Sequence, residues 1–290
     1  MSDPTRLRLG YGLNGFTDHR LEDALAVLAD LGYDGVALTL DHAHLDPVGP
    51  GLVQRVSHAG RLLARHGLDV VVETGGRYVL DPRRKHHPTF VSESGARRRV
   101  DLVATALRVA ADLGAPVVSC WSGSLPPGST SVDGRERVDR AVAALLPVAE
   151  ATGVTLALEP EPGMFLERVG DVVGVLDRFG RPEALGLTID VGHLVCSEDE
   201  APGAVIRAAG GVLANVQIDD MRRGVHEHLP FGEGEVDLPD VLAALSDSGF
   251  AGLVHVELPR HTHAAPVLAE QSLRALRAAA AHAERLTRRT

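Results

Sequence analysis

The chain has 290 residues, 44% hydrophobic and 23% charged, a balance that excludes a disordered or fibrous protein. Its 29 basic and 39 acidic side chains leave a formal charge of −10, which counts against nucleic acid as the main partner. Two cysteines, Cys120 and Cys196, are too few for a disulfide scaffold or a cysteine-rich zinc site. No apolar run approaches the roughly 18 residues of a membrane span, and Met1 to Gly10 contains Asp3, Arg6 and Arg8 instead of an apolar targeting core. A soluble, cytoplasmic protein without a membrane partner is therefore expected.

The first expected strand is LRLGYGL at 7–13. A repeat then runs through the chain: a helix-period segment, a glycine, and a short apolar run rich in β-branched residues. It reads LADLGYDGVALTL at 28–40, LARHGLDVVVE at 63–73, AADLGAPVVSC at 110–120 and AEATGVTLALE at 149–159. It continues as FGRPEALGLTID at 179–190, AAGGVLANVQI at 208–218 and SDSGFAGLVHVE at 246–257. The glycine sits where a helix end needs a left-handed residue. Runs that do not alternate in polarity belong to strands buried on both faces, hence to a parallel sheet under helices. Eight such units, closed by an amphipathic stretch at 265–287, predict one (β/α)8 barrel over 1–290. No G-x-G-x-x-G follows the first strand to favour an open dinucleotide-binding sheet.

In a barrel of this kind chemistry sits where strands run into loops at their C-terminal ends. Strand 5 ends in Glu159, followed by Glu161; strand 6 ends in Asp190, with His193 three residues on. Strand 7 carries Gln217, then Asp219-Asp220, Arg222, Arg223, His226 and His228. Strand 8 ends in Glu257. Two glutamates and an aspartate buried at one mouth are costly unless a cation compensates them, and carboxylate oxygens suit a hard divalent ion such as Mn2+ or Mg2+.

The ordered set LALEPEPG, TIDVGH, VQIDD, RRGVHEHLPFGEGEVD and HVELP resembles the xylose-isomerase-like, or sugar phosphate isomerase/epimerase, superfamily of TIM barrels. The likeness covers nearly the whole chain and is sharpest from about 150 to 260. It implies one divalent metal held by Glu159, Asp190, Gln217 and Glu257, with Mn2+ or Mg2+ favoured and Co2+ or Zn2+ admissible. A glutamine on strand 7 is similar to the hydroxypyruvate isomerase branch. The implied activity is isomerisation or epimerisation of a hydroxy-ketone, keto-sugar or cyclitol through an enediolate. A lyase or dehydratase of the same superfamily is the alternative, and a non-catalytic partner subunit a lower one. An apurinic-endonuclease reading requires further histidines ending strands 3 and 4, where this chain has Glu73 and Trp121.

The remaining roles follow from that assignment. Glu159 and Glu257 lie on strands three apart and are the expected proton-transfer pair. His193 is expected to hold a substrate oxygen. Arg222, Arg223 and His226 are candidates for other hydroxyls or an acid group. His226 and His228 point the same way if their segment is extended, and stand as substrate contacts, metal neighbours or plain loop residues. Trp121 offers an apolar wall for a sugar ring, or a core side chain. Glu161 shares the parity of Glu159. The pairs His42/His44 and His261/His263 read as solvated loop histidines, and Arg83-Arg84-Lys85 as a basic loop open to a phosphate or carboxylate. The expected partner is a polyol or keto-sugar, and a homo-oligomer is compatible with the sequence.

Overall fold

The computed structural model describes residues 7–287; the N-terminal targeting reading therefore falls partly outside the described residues. Eight parallel strands close into a barrel: β1 (Arg8–Gly12), β2 (Gly35–Thr39), β3 (Asp69–Glu73), β4 (Val117–Trp121), β5 (Thr155–Glu159), β6 (Leu185–Asp190), β7 (Leu213–Ile218) and β10 (Leu253–Val256), with β10 pairing back onto β1. A two-stranded antiparallel hairpin, β8 (Asp220–Arg222) and β9 (Val225–Leu229), stands over the end of β7. Around the barrel lie α1 (Leu21–Leu31), α2 (Leu52–His66), α3 (Ala96–Leu113), α4 (Ser131–Thr152), α5 (Val169–Arg178), α6 (Val191–Ser197), α7 (Pro202–Ala209), α8 (Leu238–Asp247) and α9 (Ala265–Thr287). The (β/α)8 architecture expected from the repeat is the observed one. Gly32 and Gly67 end α1 and α2 with φ of 90° and 64° and return their amides to carbonyls of the last helical turn.

Strand parity explains the packing. Val36, Leu38, Val70, Val72, Val118, Leu156, Leu158, Ile189, Val216 and Val254 belong to the main core beneath the helices. The alternate residues face the barrel axis. At its N-terminal end these are Ala37, Val71, Val117, Ala157 and Leu253, a small separate apolar cluster. Two residues further along each strand the interior becomes polar. Ser119 Oγ and Thr188 Oγ1 lie 2.9 Å apart, Asn215 Nδ2 donates to Thr188 Oγ1 at 3.5 Å, and a His255 ring nitrogen lies 3.2 Å from Asn215 Oδ1. The same parity carried to the strand ends delivers Glu73, Glu159, Asp190, Gln217 and Glu257 to the mouth.

Two segments that follow strand ends at the mouth are ordered. The stretch after β6 is α6, whose first turn is capped by Asp190 Oδ1 accepting from the amides of Gly192 and His193 at 2.7 and 3.3 Å. The stretch after β7 holds the hairpin, fixed by one buried carboxylate. Asp220 accepts backbone N–H groups from Met221, Gly232, Gly234 and Val236 at 2.8–3.0 Å. That pattern accounts for Gly234 of the G-E-G-E turn, where a Cβ would run into Asp220 Oδ1 and the Met221 backbone; Gly232 is called for by its φ of 94°. Asp220→Ala leaves these amides without their acceptor in a buried setting. It should lower the unfolding free energy by about 3 kcal/mol or more, read as a fall in thermal midpoint, with hydrogen exchange rising first over 220–236.

Candidate active site

The C-terminal mouth of the barrel is a cavity of about 650 Å3. Glu159, Gln217 and Glu257 line it together with Glu73, Asn14, Ser119, Trp121, Glu161, His193, His226 and His228. Asp190 is buried just beneath, and one oxygen each of Glu159 and Asp190 lies with a His193 nitrogen inside a group spanning 4.8 Å. Glu257 follows β10 directly, its amide donating to Ile218 O at 3.1 Å, so it continues the register of the strand.

A continuous hydrogen-bonded arc joins three of these groups. Gln217 Nε2 donates to Glu73 Oε1 at 2.9 Å and to Glu257 Oε2 at 2.5 Å, while Asn14 Nδ2 donates to Glu257 Oε1 at 2.9 Å. Thr39 Oγ1 donates to the other oxygen of Glu73 at 3.0 Å. Across the mouth Ser119 Oγ donates to Glu159 Oε2 at 3.4 Å, and His193 Nδ1 lies 3.5 Å from Glu159 Oε1 and 3.2 Å from Pro160 O. His193 Nε2 is 3.1 Å from His226 Nε2, and His226 and His228 share one side of β9 with ring centroids 5.4 Å apart. His228 Nδ1 pairs closely with Asp219 Oδ2. Close approach here requires Gly192: a Cβ would collide with Asp219 Oδ1 and the Met221 side chain.

Crowding sets the electrostatics. Burial, then the neighbouring carboxylates of Glu257, Glu161, Asp190 and Glu73, pushes Glu159 well above the carboxylate range. Burial and the charges of Glu73 and Asp190 do the same to Glu257, against the Asn14 hydrogen bond. Glu73 rises to about 7, chiefly by burial, with the bonds from Thr39 and Gln217 opposing. Burial pushes His226 down to about 4 and His228 to about 3, so both rings are neutral near pH 7.

Among the described residues, four buried oxygens at this mouth have no hydrogen-bond partner: Asn14 Oδ1, Asp190 Oδ2, Gln217 Oε1 and Asp219 Oδ1. Orphaned acceptors among like-charged carboxylates are the donor set of a hard or borderline divalent cation, so the residues present fit a metal. The acidic and imidazole groups that approach one another closely enough are Glu159–Asp190–His193, Asp190–Asp219–His228 and His193–His226–His228.

Of the residues singled out from the sequence, Glu159, Asp190, Gln217, Glu257, Glu161, His193, His226, His228 and Trp121 are brought to the mouth. Arg222 and Arg223 are not. Both are exposed; Arg222 Nη2 donates to Glu233 O at 2.8 Å and Arg223 Nη1 to Glu198 O at 2.8 Å, outside the cavity wall. Trp121 is buried under the guanidinium of Arg99, 4.9 Å from the ring centre, with one edge on the cavity. His42 and His44 do not line the cavity, and His44 is 3.1 Å from His19 O. Sequence reasoning missed Glu73 and Asn14. The signal for Glu73 was present, an acidic residue closing the apolar run DVVVE, but it was weighed only as the absence of a histidine.

A closed ring of eight parallel strands with helices between them defines a (β/α)8 TIM barrel, here with a carboxylate-lined mouth. A family profile described as xylose isomerase-like TIM barrel matches residues 25–279, and the chain belongs to that family. L-ribulose-5-phosphate 3-epimerase UlaE of Shigella flexneri is 24% identical over 243 residues, which cover 81% of each chain. A solved structure of an L-ribulose 3-epimerase superposes with a TM-score of 0.79 at 20% identity, covering 98% of this chain and 97% of that one. The IolI protein with a bound zinc atom superposes with a TM-score of 0.73 at 16% identity, over 94% and 98%. At these identities the structural likeness establishes a shared fold.

The shift of Glu73 gives a stability test. Its folded value, about 7, exceeds the ordinary 4.5, so ionising it opposes folding. The cost is absent below about pH 4.5, grows as pH rises, and is complete above about pH 7. Metal-free Glu73→Gln should therefore be more stable than the parent at pH 8, on the order of 1–3 kcal/mol, with the gain vanishing by pH 4.5 in paired thermal melts.

Proposed function

We propose that the protein is a divalent-metal-dependent isomerase or epimerase of a keto-sugar or related hydroxy-ketone. The observation that carries this reading is the placement of Glu159 and Glu257 at the ends of strands three apart, flanking buried Asp190 and Gln217, each of which keeps an oxygen without a hydrogen-bond partner. The relatives' names, 3-epimerases of ribulose and its 5-phosphate, support the same class of substrate.

Glu159, Asp190, Gln217 and Glu257 would hold the cation through carboxylate and amide oxygens. When bound, such a cation supplies Lewis-acid polarisation of a carbonyl and its neighbouring hydroxyl oxygen. Glu159 and Glu257 supply the acid–base chemistry. One takes the proton from the carbon beside the carbonyl, and the other returns a proton from the opposite face, inverting the centre. Asn14 fixes the Glu257 carboxylate, and Ser119 that of Glu159, so neither base rotates out of line. His193, with one nitrogen at Pro160 O, aims the other at neutral His226, and this pair donates to and accepts from substrate hydroxyls. The edge of Trp121 forms the apolar side of the cavity, against which C–H faces of a sugar pack.

Metal binding should be tied to proton release, because carboxyls held above their ordinary range must ionise to become ligands. The thermal shift produced by Mn2+ is expected to be larger at pH 8 than at pH 6, and Asp190→Ala should abolish it. Equal shifts at both pH values would remove the crowded carboxyls from the ligand set.

Proton transfer is tested by exchange of the substrate's α-hydrogen with solvent deuterium over a panel of ketopentoses and ketohexoses. Glu159→Gln and Glu257→Gln should each lose on the order of 10²-fold or more in exchange while Mn2+ affinity changes far less. His193→Ala should act mainly on substrate affinity. Exchange at parental rates in both glutamine variants would overturn the two-carboxylate reaction.

A further inference from the structure

The floor of the cavity is acidic, yet its rim carries three cations. Arg77 and Lys85 come from the segment after β3, and Arg260 from the segment after β10; all three line the cavity that holds Glu159 and Glu257. Among the described residues no carboxylate lies within 4.0 Å of any of them. Some cations of the chain do meet carboxylates: Arg84 with Asp81, Arg178 with Asp139 and Arg207 with both Asp240 and Asp247. Others, such as Arg98 and Arg277, bond backbone carbonyls instead. What sets the three apart is that they gather on one cavity.

Two of the three are also held in place. Arg77 Nη2 donates to Pro259 O at 2.6 Å, tying the β3 segment to the β10 segment, and Arg260 Nη2 donates to His226 O at 3.5 Å. Each grip uses one donor of a guanidinium that has five, leaving the rest to solvent and cavity. The backbone is strained beside them: Tyr78 follows Arg77 with φ 55° and His86 follows Lys85 with φ 60°, both non-glycine residues in the left-handed region. Lys85 feels the repulsion, its ammonium lowered by burial and then by Arg77, with Arg260 adding and Glu161 opposing. Like charges gathered on one rim, with no carboxylate in direct contact, form a receptor for an anion.

We infer that the substrate carries an anionic group, a phosphate ester or a carboxylate, which Arg77, Lys85 and Arg260 receive at the rim while its hydroxy-ketone end occupies the acidic floor. Naming a substrate rests on the epimerase or isomerase reading; the anion-binding rim does not. Polarity fixes the orientation. The carboxylates of the floor repel the anionic end and the rim attracts it, so the reacting carbons are presented inward. A neutral sugar satisfies only the floor.

The test is calorimetric titration of the Mn2+-loaded protein with ketopentoses and ketohexoses, each as the neutral sugar, its terminal phosphate and its terminal carboxylate. α-Hydrogen exchange is followed on the same set. At least one anionic form should bind about tenfold or more tighter than its neutral parent, and the preference should weaken with salt. A preference confined to phosphates assigns an ester, one confined to carboxylates an acid, and both support the rim. Arg77→Ala, Lys85→Ala and Arg260→Ala should each cut the anionic-over-neutral ratio by about tenfold, and Lys85→Arg should keep most of it. Equal affinity for neutral and anionic forms overturns the rim. So does a preference that survives all three alanine variants, because the anion then binds elsewhere. Anionic preference without exchange in any sugar upholds the rim and overturns the isomerase reading; exchange with neutral sugars alone does the reverse.

Discussion

The structure turns on the crowding of carboxyl groups at the dry end of a barrel. Glu73, Glu159, Asp190 and Glu257 arrive from four strands, with Asp219 just beyond β7, where low dielectric magnifies repulsion and withholds solvation. A hydrophobic core does not tolerate such a set without a compensating positive charge or shared protons. Metal-free, the chain uses protons: burial and mutual repulsion raise Glu73, Glu159, Asp219 and Glu257. A divalent ion would resolve the same conflict while leaving the carboxylates ionised, the state that the proposed reaction requires of its bases.

Beneath the carboxylates, the barrel replaces its usual aliphatic layer with hydrogen-bonding side chains. Ser119, Thr188, Asn215 and His255 form a chain across the interior, touching Glu159 at one end, while His255 Nδ1 lies 3.8 Å from Glu73 Oε1 at the other. Each member has at least one partner, so the layer keeps a single arrangement in a way that packed methyl groups do not. Glu159 and Glu73 therefore stand on a common support, and Gln217 links Glu73 to Glu257. Asn14 on one side and Ser119 on the other set which oxygen of each faces the cavity.

The sequence made the barrel legible because two-sided burial writes itself as unbroken apolar runs, and because helix ends such as Gly32 and Gly67 need a left-handed residue. The mouth was legible for the complementary reason: an acid such as Glu159, Asp190 or Glu257 ending such a run breaks its apolar pattern, although Asp190 also caps α6. What escaped notice lacked contrast. Ser119 and Thr188 look like tolerated substitutions within a strand, and only closure of the ring shows that they meet. Asn14 sits in a short 3-10 turn after β1, where no period marks it. The three residues of β8 are too few to show alternation, so nothing in Met221-Arg222-Arg223 told which side chains face solvent; the hairpin turns both arginines outward. The H-x-H pair on five-residue β9 obeyed its parity, and its rings share one side.

The hairpin links the inner site to its rim. β9 carries His226 and His228 toward the floor, and the carbonyl of His226 receives Arg260 from the rim. The hairpin is anchored from behind by Asp220, whose carboxylate gathers four backbone amides. One buried acid that never faces the cavity thus sets the height of the imidazoles above the carboxylates and the reach of a rim cation. In the proposed reaction both ends of the substrate depend on that spacing. A base must reach one carbon while the far end is held still, and effective concentration is lost steeply when either contact is displaced by about an ångström. The rigidity of the hairpin is therefore part of the chemistry, although none of the residues that create it touches the reacting atoms.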